Sequence, residues 1–202
     1  SLRVLDTPWD LDADPPPLRI LQLKPDCDPQ HAPPAELIAI IEKYSYRLPI
    51  SDERPLLVNL QAILQRHDPD LILSAGGDVW LLPHLLQLSR KLKIPLSLNR
   101  EPDRGIQLKK EGTFFSYGQV IYRGQQVYLF GRCHIDGHNA MLWQDFDADG
   151  AFETARITGL PLQVAARVSP GTGISSMQIA TALRSNILVP WRKQQAEQTK
   201  TA

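Results

Sequence analysis

The chain contains, near its carboxyl end, Thr158-Gly159-Leu160-Pro161-Leu162, then Arg167-Val168-Ser169-Pro170-Gly171-Thr172-Gly173, then Ala182-Leu183-Arg184-Ser185-Asn186-Ile187-Leu188-Val189-Pro190. Gly and Pro mark turns and element ends, because Gly permits unusual backbone angles and Pro removes a backbone donor. Residues 174–184 lie between such signals and are predicted to form a helix. The segment therefore indicates a turn, a loop, a helix and an extended exit, in that order.

The preceding residues carry alternating signals for strands and helices. Strands are predicted at 18–23 and 70–74, and helices at 55–67 and 79–92, from the spacing of their apolar residues. Residues 36–42 are almost continuously apolar, which fits either a buried strand or a short helix. Strand–helix alternation of this kind favours an α/β or α+β domain with a mixed sheet flanked by helices.

A β-hairpin is predicted over residues 112–132. Val120, Tyr122, Val127 and Leu129 flank the triplet Arg123-Gly124-Gln125, which contains the Gly that a tight reversal requires. The mixed sheet is therefore expected to carry a hairpin in addition to its helices.

Composition restricts the classes of function. The 202 residues suffice for one domain with a core, and 22 basic residues balance 22 acidic ones to a net charge of zero. Dedicated nucleic-acid binders usually carry a basic excess, so any DNA affinity must come from a local patch. Two cysteines without a CxxC motif exclude a disulfide framework and a zinc site, and they fit a reducing cytoplasm. No signal peptide or membrane-spanning apolar run is evident, so no membrane partner is expected.

Four segments in the same order resemble the 3′–5′ exonuclease domain of family B DNA polymerases of the archaeal or bacterial polymerase II-like type. The carboxyl-terminal segment quoted above resembles its G-x-P-L turn, R-x-S-x-G loop and R-x-x-x-L-x-P exit. Residues 68–85 resemble D-P-D-x-I-x-G-Y-N-x-x-x-F-D-L-P-Y-L, and Gly131-Arg132-Cys133-His134-Ile135-Asp136 resembles a G-R-x-H-x-D strand. Residues 18–23 resemble the strand that delivers the first exonuclease motif.

The resemblance implies an RNase H-like (DnaQ-like exonuclease) fold and a division of the chain into three parts. These are a lead-in at 1–17, the exonuclease-like domain at 18–193 and a polar tail at 194–202. The palm motifs of a polymerase do not occur, and the palm would begin where this sequence ends. The chain is therefore expected to be either a piece of a longer polymerase-like protein or a stand-alone relic.

Most of the acids that exonuclease chemistry requires are missing. Two-metal hydrolysis needs several carboxylates around two Mg²⁺ or Mn²⁺ ions. In the favoured alignment the D-x-E motif falls on Lys24-Pro25-Asp26, and the Asp of F-D-L-P falls on Leu81. No Y-x-x-x-D pattern precedes Gly159. An alternative alignment retains Asp6 as the first acid but leaves the other two motifs empty.

The leading hypothesis is a degenerate, catalytically inactive exonuclease-like domain with a structural role in DNA replication or repair and no bound cofactor. It would contact the polymerase palm or another replication or repair protein, and DNA through basic residues at Lys109, Lys110, Arg123, Arg167, Arg184, Arg192 and Lys193. Trp191 would face the palm.

Two alternatives remain open. One is an active Mg²⁺- or Mn²⁺-dependent 3′–5′ exonuclease that uses the substitute carboxylates Asp26, Asp78 and Asp136. The other is a protein-interaction module without DNA contact, which the zero net charge favours. His134 and His138 fit structural hydrogen-bonding roles in either case.

Overall fold

The computed structural model describes residues 17–116 and 119–189. Its central sheet has the order β3-β2-β1-β4-β9. The strands are β1 (Ile20–Pro25), β2 (Glu36–Ile41), β3 (Tyr44–Pro49), β4 (Leu71–Ser74) and β9 (Cys133–Asp136). β1, β4 and β9 run parallel, whereas β2 and β3 pair antiparallel to form the mixed part. The α/β class with a mixed sheet is therefore confirmed, and residues 36–42 prove to be a strand.

Helices cover both faces of this sheet. α1 (Glu53–His67) and α2 (Leu82–Leu92) pack with Leu21, Leu23 and Ile72 in the larger core, and a π-turn (Gly77–Leu81) leads into α2. α3 (Met141–Thr158), which is kinked at Asp147 where the backbone is not helical, and the short α4 (Leu162–Ala165) pack with Leu71 and Ile135 in a smaller core on the other face. Consecutive residues of a strand thus point into opposite cores, as the two-residue period of a strand requires.

The long helix α5 (Pro170–Arg184) completes the domain. Its N-cap is Ser169, whose Oγ accepts a hydrogen bond from the Thr172 N–H at 3.3 Å. The prediction of a helix at 174–184 is confirmed, with one more turn at its start. Within the described residues no helix has both the length and the apolar character needed to cross a bilayer.

The hairpin exists, but its turn was wrongly predicted. β6 (Gly112–Ser116) pairs with β7 (Gln119–Arg123), so the triplet 123–125 follows the hairpin rather than closing it. β8 (Gln126–Tyr128) pairs instead with β5 (Gln107–Lys109). The reason is tertiary: the Val127 N–H donates to Asp78 Oδ1 at 2.7 Å, and Asn139 Nδ2 donates to the Gln125 carbonyl at 2.7 Å. These bonds position residues 125–127 so that they pair with β5 rather than with β7.

Several predictions fall outside the described residues. They concern the alternative first acid Asp6, the basic residues Arg192 and Lys193, and Trp191. The lead-in at 1–17, apart from its last residue, and the tail at 194–202 also lie there. Their assignments therefore stay predictions.

Candidate functional site: a polar cluster beneath a cleft

A cleft lies where the three parallel strands end. The register places Leu23 of β1 beside Ser74 of β4, and Ser74 beside Asp136 of β9. Ligands of α/β sheets commonly bind outside the carboxyl ends of the strands. The cleft there encloses a cavity of about 600 Å³, and its lining includes Lys24, Gly76, Trp80, Tyr122, Asp136 and His138.

Asp136 fixes the chain on the floor of the cleft. Its Oδ1 accepts hydrogen bonds from the backbone N–H groups of Gly76 and His138, each at 3.0 Å, and its Oδ2 accepts one from the Asp78 N–H at 2.8 Å. The carboxylate thus satisfies N–H groups at the start of the π-turn, which have no partner within a helix. Asp136 is fully buried and acts here as a structural acceptor.

Two glycines permit the π-turn to pass so close to the sheet. Gly76 has a φ of +71°, a left-handed conformation that glycine adopts without a steric penalty. A Cβ on Gly77 would overlap the Ser74 hydroxyl and would lie 2.8 Å from His134 Nε2. A side chain at position 77 is therefore excluded by its neighbours rather than by backbone angles.

We expect Gly77→Ala to lower the free energy of unfolding by about 1–3 kcal/mol, because an extra methyl group in a close-packed interior forces its neighbours to shift. Gly105→Ala is the matched control, since a Cβ there meets no atom within 4 Å. Urea unfolding of both variants at pH 7 measures the difference. Equal stability of the two variants would contradict the close approach at Gly77.

Asp78 forms the centre of a buried ion pair. Its carboxylate lies 3.1 and 3.3 Å from Arg167 Nη2, and both side chains are almost inaccessible to solvent. The Val127 N–H donates to Oδ1 at 2.7 Å, and Asn139 Nδ2 donates to Oδ2 at 2.9 Å. Burial raises the pKa of Asp78, while the Arg167 guanidinium opposes the rise. Since these groups are all donors, they fit an ionised carboxylate.

His134 lies beside this pair and is neutral. Its Nδ1 is 2.9 Å from the Val127 carbonyl, which can only accept, so Nδ1 carries the proton. Its Nε2 then accepts from the Ser74 hydroxyl at 2.8 Å. Complete burial and the positive charge of Arg167 lower the pKa of His134 to about 4. His134 therefore links β4 and β9 as a hydrogen-bonding group rather than as a charge.

Residues 158–173 cover the edge of β9 that no other strand pairs with in the described part of the chain. Gly159, with a φ of +71°, ends α3, and α4 then places Gln163 and Arg167 against the strand. Gln163 Oε1 accepts from the His134 N–H at 3.2 Å, and Arg167 Nη1 donates to the His134 carbonyl at 2.8 Å. Side chains thus replace the strand that would otherwise pair here. The role of Gln163 had no signal in the sequence beyond its place between two turn motifs.

The predicted exonuclease positions have different surroundings. Lys24 is exposed on the cleft, and Asp26 lies in the next loop, where its Oδ1 accepts from the Ala35 N–H at 3.1 Å. Leu81 is 1% exposed and belongs to the larger core, and it is not among the residues that line the cleft.

The substitute acids are only partly assembled. Asp78 and Asp136 are linked through the Asp78 backbone N–H, but Asp26 is not part of their network. In the residues that the structure describes, no group of three or more His, Cys, Asp and Glu side chains is arranged to hold a metal ion. The predicted set of three carboxylates is therefore not brought together.

The predicted basic residues occupy different environments. Lys109 and Lys110 are exposed at the end of β5, Arg184 is exposed at the end of α5, and Arg123 is half-buried at the end of β7. Arg167, predicted as a DNA contact, has a side chain only 2% exposed and is paired with Asp78. Its ion pair with Asp78 is buried, so Arg167 is not part of an exposed basic patch.

Comparisons with known proteins bear on the fold. No family model and no curated protein matches the sequence. Among solved structures, the chain resembles the family B DNA polymerase from the hyperthermophilic archaeon Pyrobaculum calidifontis, with a TM-score of 0.59 and 17% sequence identity. The match covers 90% of this chain but only 31% of the polymerase. At this identity the likeness shows the fold, and the predicted RNase H-like α/β fold, related to a family B polymerase, is confirmed.

Proposed function

We propose that this chain is an exonuclease-like domain of a family B DNA polymerase-type protein that has lost two-metal hydrolysis and serves a structural role in DNA replication or repair. The observation that carries the proposal is the identity of the residues at two positions where exonuclease acids are expected. Lys24, at the first, lines the cleft, and its ammonium group repels a divalent cation. Leu81, at the second, is an apolar side chain that cannot bind a metal ion.

The remaining buried acids also favour this proposal. Asp136 accepts three backbone N–H bonds, and Asp78 is neutralised by Arg167. Binding of a cation by either carboxylate would break these bonds and leave buried donors without partners, which costs about 1–3 kcal/mol for each neutral group. The arrangement favours a site stabilised by its own hydrogen bonds rather than by Mg²⁺ or Mn²⁺.

The exposed surface supports a partner. The second half of α5 and the residues after it expose four large apolar side chains: Ile179, Leu183, Ile187 and Leu188. In our proposal a polymerase palm, or another replication or repair protein, covers them. Lys109 and Lys110 would supply exposed charges for primer or template DNA. Cys27 and Cys133 are free thiols, which is consistent with the cytoplasmic location that we propose.

We expect no shortening of a 5′-labelled single-stranded oligonucleotide in Mn²⁺, even at high protein concentration. A catalytically competent family B exonuclease serves as the positive control, and gel electrophoresis resolves products to one nucleotide. Stepwise 3′ shortening that EDTA abolishes, and that Asp26→Ala or Asp136→Asn removes, would overturn the proposal. It would mean that substitute carboxylates support hydrolysis.

A further inference from the structure

The edge strand β3 has a side that no strand covers. It is the outermost strand of the central sheet, and within the described residues it pairs with β2 alone. The Ile50 N–H donates to the Ala35 carbonyl at 2.9 Å, so positions 50, 48, 46 and 44 are those that bond to β2. Bonded positions alternate in an antiparallel pair. The backbone N–H and C=O groups of Ser45 and Arg47 therefore point away from β2.

These outward groups are available to a further strand. On this side, no hydrogen bond joins the backbone of Ser45 or Arg47 to another group in the part of the chain that the structure describes. Pro49, the next outward position, has no N–H and ends the row of donors. An open row of backbone groups is a template for pairing with another chain. β3 can thus pair with a short extended segment.

A cavity of about 440 Å³ lies beside this edge, between β3 and α1. Its lining includes the buried side chains of Leu48 and Ile63, the half-buried Tyr46 and the exposed Ala62. Side chains alternate along a strand, so every second side chain of a segment paired with β3 would point to the face of Tyr46 and Leu48. The edge and the cavity therefore fit one ligand, an extended segment with an apolar side chain at the position that meets the cavity.

The lining of the cavity is basic. Arg47 and Arg66 belong to it, and it includes no Asp or Glu among the described residues. Arg47 donates to Glu36 at 2.7 Å, and 67% of its side chain is exposed. Arg66 is exposed and has no ion pair within residues 17–116 and 119–189. A ligand of this cavity therefore meets an uncompensated positive charge.

A second cation lies at the same end of the groove. The Arg66 guanidinium is 5.5 Å from the centre of the Tyr44 ring, and Lys43 Nζ is 5.6 Å from it. Glu42 precedes Lys43 in the turn between β2 and β3, but it forms no ion pair with either cation in the described residues. The start of β3 thus favours a ligand that carries carboxylates.

We propose that the edge of β3 and the cavity beside it bind an extended, acidic segment of a partner protein. The segment adds a strand to the sheet, inserts an apolar side chain into the cavity and places carboxylates near Arg66 and Lys43. In this mode main-chain hydrogen bonds supply affinity, and pockets for alternate side chains supply specificity. The groove shares no residue with the exposed apolar surface of α5, so the proposal does not depend on a polymerase palm or on DNA.

The test is a phage-displayed library of random dodecapeptides, selected against the immobilised full chain. We expect enrichment of peptides in which an apolar residue lies close to Asp or Glu. The most enriched peptide is then synthesised, labelled and titrated by fluorescence anisotropy. N-methylation of its alternate amides should weaken binding about tenfold or more for one alternate set and little for the other, because only one set faces β3.

Three protein variants test the groove itself. Arg66→Gln should weaken binding about fivefold, since it removes one exposed ion pair with the peptide. Arg54→Gln is the matched control, because this exposed arginine of the same helix is outside the cavity. Ala62→Phe fills the cavity from an exposed position without changing the charge, and it should abolish binding. Circular dichroism checks that each variant is folded.

Several results would overturn the proposal. One is a selection with no enrichment over a surface that carries no protein. Equal losses from methylation of either set of amides would exclude strand pairing, and equal weakening by Arg66→Gln and Arg54→Gln would mean that binding depends on overall charge. A dimer of the chain alone that Ala62→Phe dissociates in sedimentation velocity would assign the edge to a second copy instead of a different partner.

Discussion

Asp78→Asn is expected to lower the free energy of unfolding by about 3–5 kcal/mol, the usual cost of removing one partner of a buried ion pair. The substitution keeps the shape of the side chain but leaves the Arg167 guanidinium buried without a counter-charge. It also places an amide NH₂ where Val127 N–H, Asn139 Nδ2 and Arg167 Nη2 all require acceptors. Urea unfolding at pH 7 measures the change.

The exposed ion pair between Glu53 and Lys91 is a control that shows how much of the lost stability is due to burial. Glu53 accepts from Lys91 Nζ at 2.7 Å, and both side chains are more than a third exposed, so Glu53→Gln should cost less than about 1 kcal/mol. The double variant Asp78→Asn/Arg167→Met should lose less stability than the sum of the two single variants, because it removes both charges. An Asp78→Asn loss no larger than that of Glu53→Gln would contradict the buried pair.

His134 is expected to make the protein acid-sensitive below pH 6.5. The pKa of His134 is about 4 in the folded chain, against an ordinary value of 6.5, because the ring is completely buried beside Arg167. Between these values the unfolded chain binds a proton at His134 and the folded chain does not. The free energy of unfolding therefore falls as the pH is lowered from 6.5 to 4, by about 3 kcal/mol in total.

Two histidine variants isolate this contribution. His134→Gln removes the titrating ring and should flatten the dependence of unfolding free energy on pH between 7 and 4, whereas His138→Gln, at an exposed position, should leave it unchanged. The raised pKa of Asp78 has the opposite effect, because it increases the free energy of unfolding as the pH is lowered. Subtracting the His134→Gln curve therefore separates the histidine effect. Equal slopes for the original chain and His134→Gln would contradict a buried neutral His134.

Local patterns were sufficient for most of the elements. Helix α1 follows from the spacing of Leu56, Leu57, Leu60, Ile63 and Leu64, which all prove to be buried. The alternation in 18–23 predicted β1, although the strand runs two residues further. The turn of the hairpin was misplaced because Gly124 is an adequate turn residue by local criteria. Bonds from Asp78 and Asn139, distant in sequence, determine where residues 125–127 lie.

The site was predictable only in part. Asp78 and Asp136 were both named as substitute acids, Asp136 within the G-R-x-H-x-D segment, and these two of the three do lie together. Leu81 was matched to the second exonuclease acid by its place in the motif. The structure places it in the larger core at the end of the π-turn, and nothing in the local sequence specifies such a turn.

Strand and helix periodicity, glycine and proline positions and the order of motifs were properties of the chain itself, because each depends on residues within a few positions of one another. The pairing of Asp78 with Arg167 spans 89 residues, and that of His134 with Ser74 spans 60. Whether these groups are charged, neutral or unpaired depends on burial and on neighbours that only the folded sheet brings together. For this reason the fold could be predicted from the sequence, whereas the polar cluster could not.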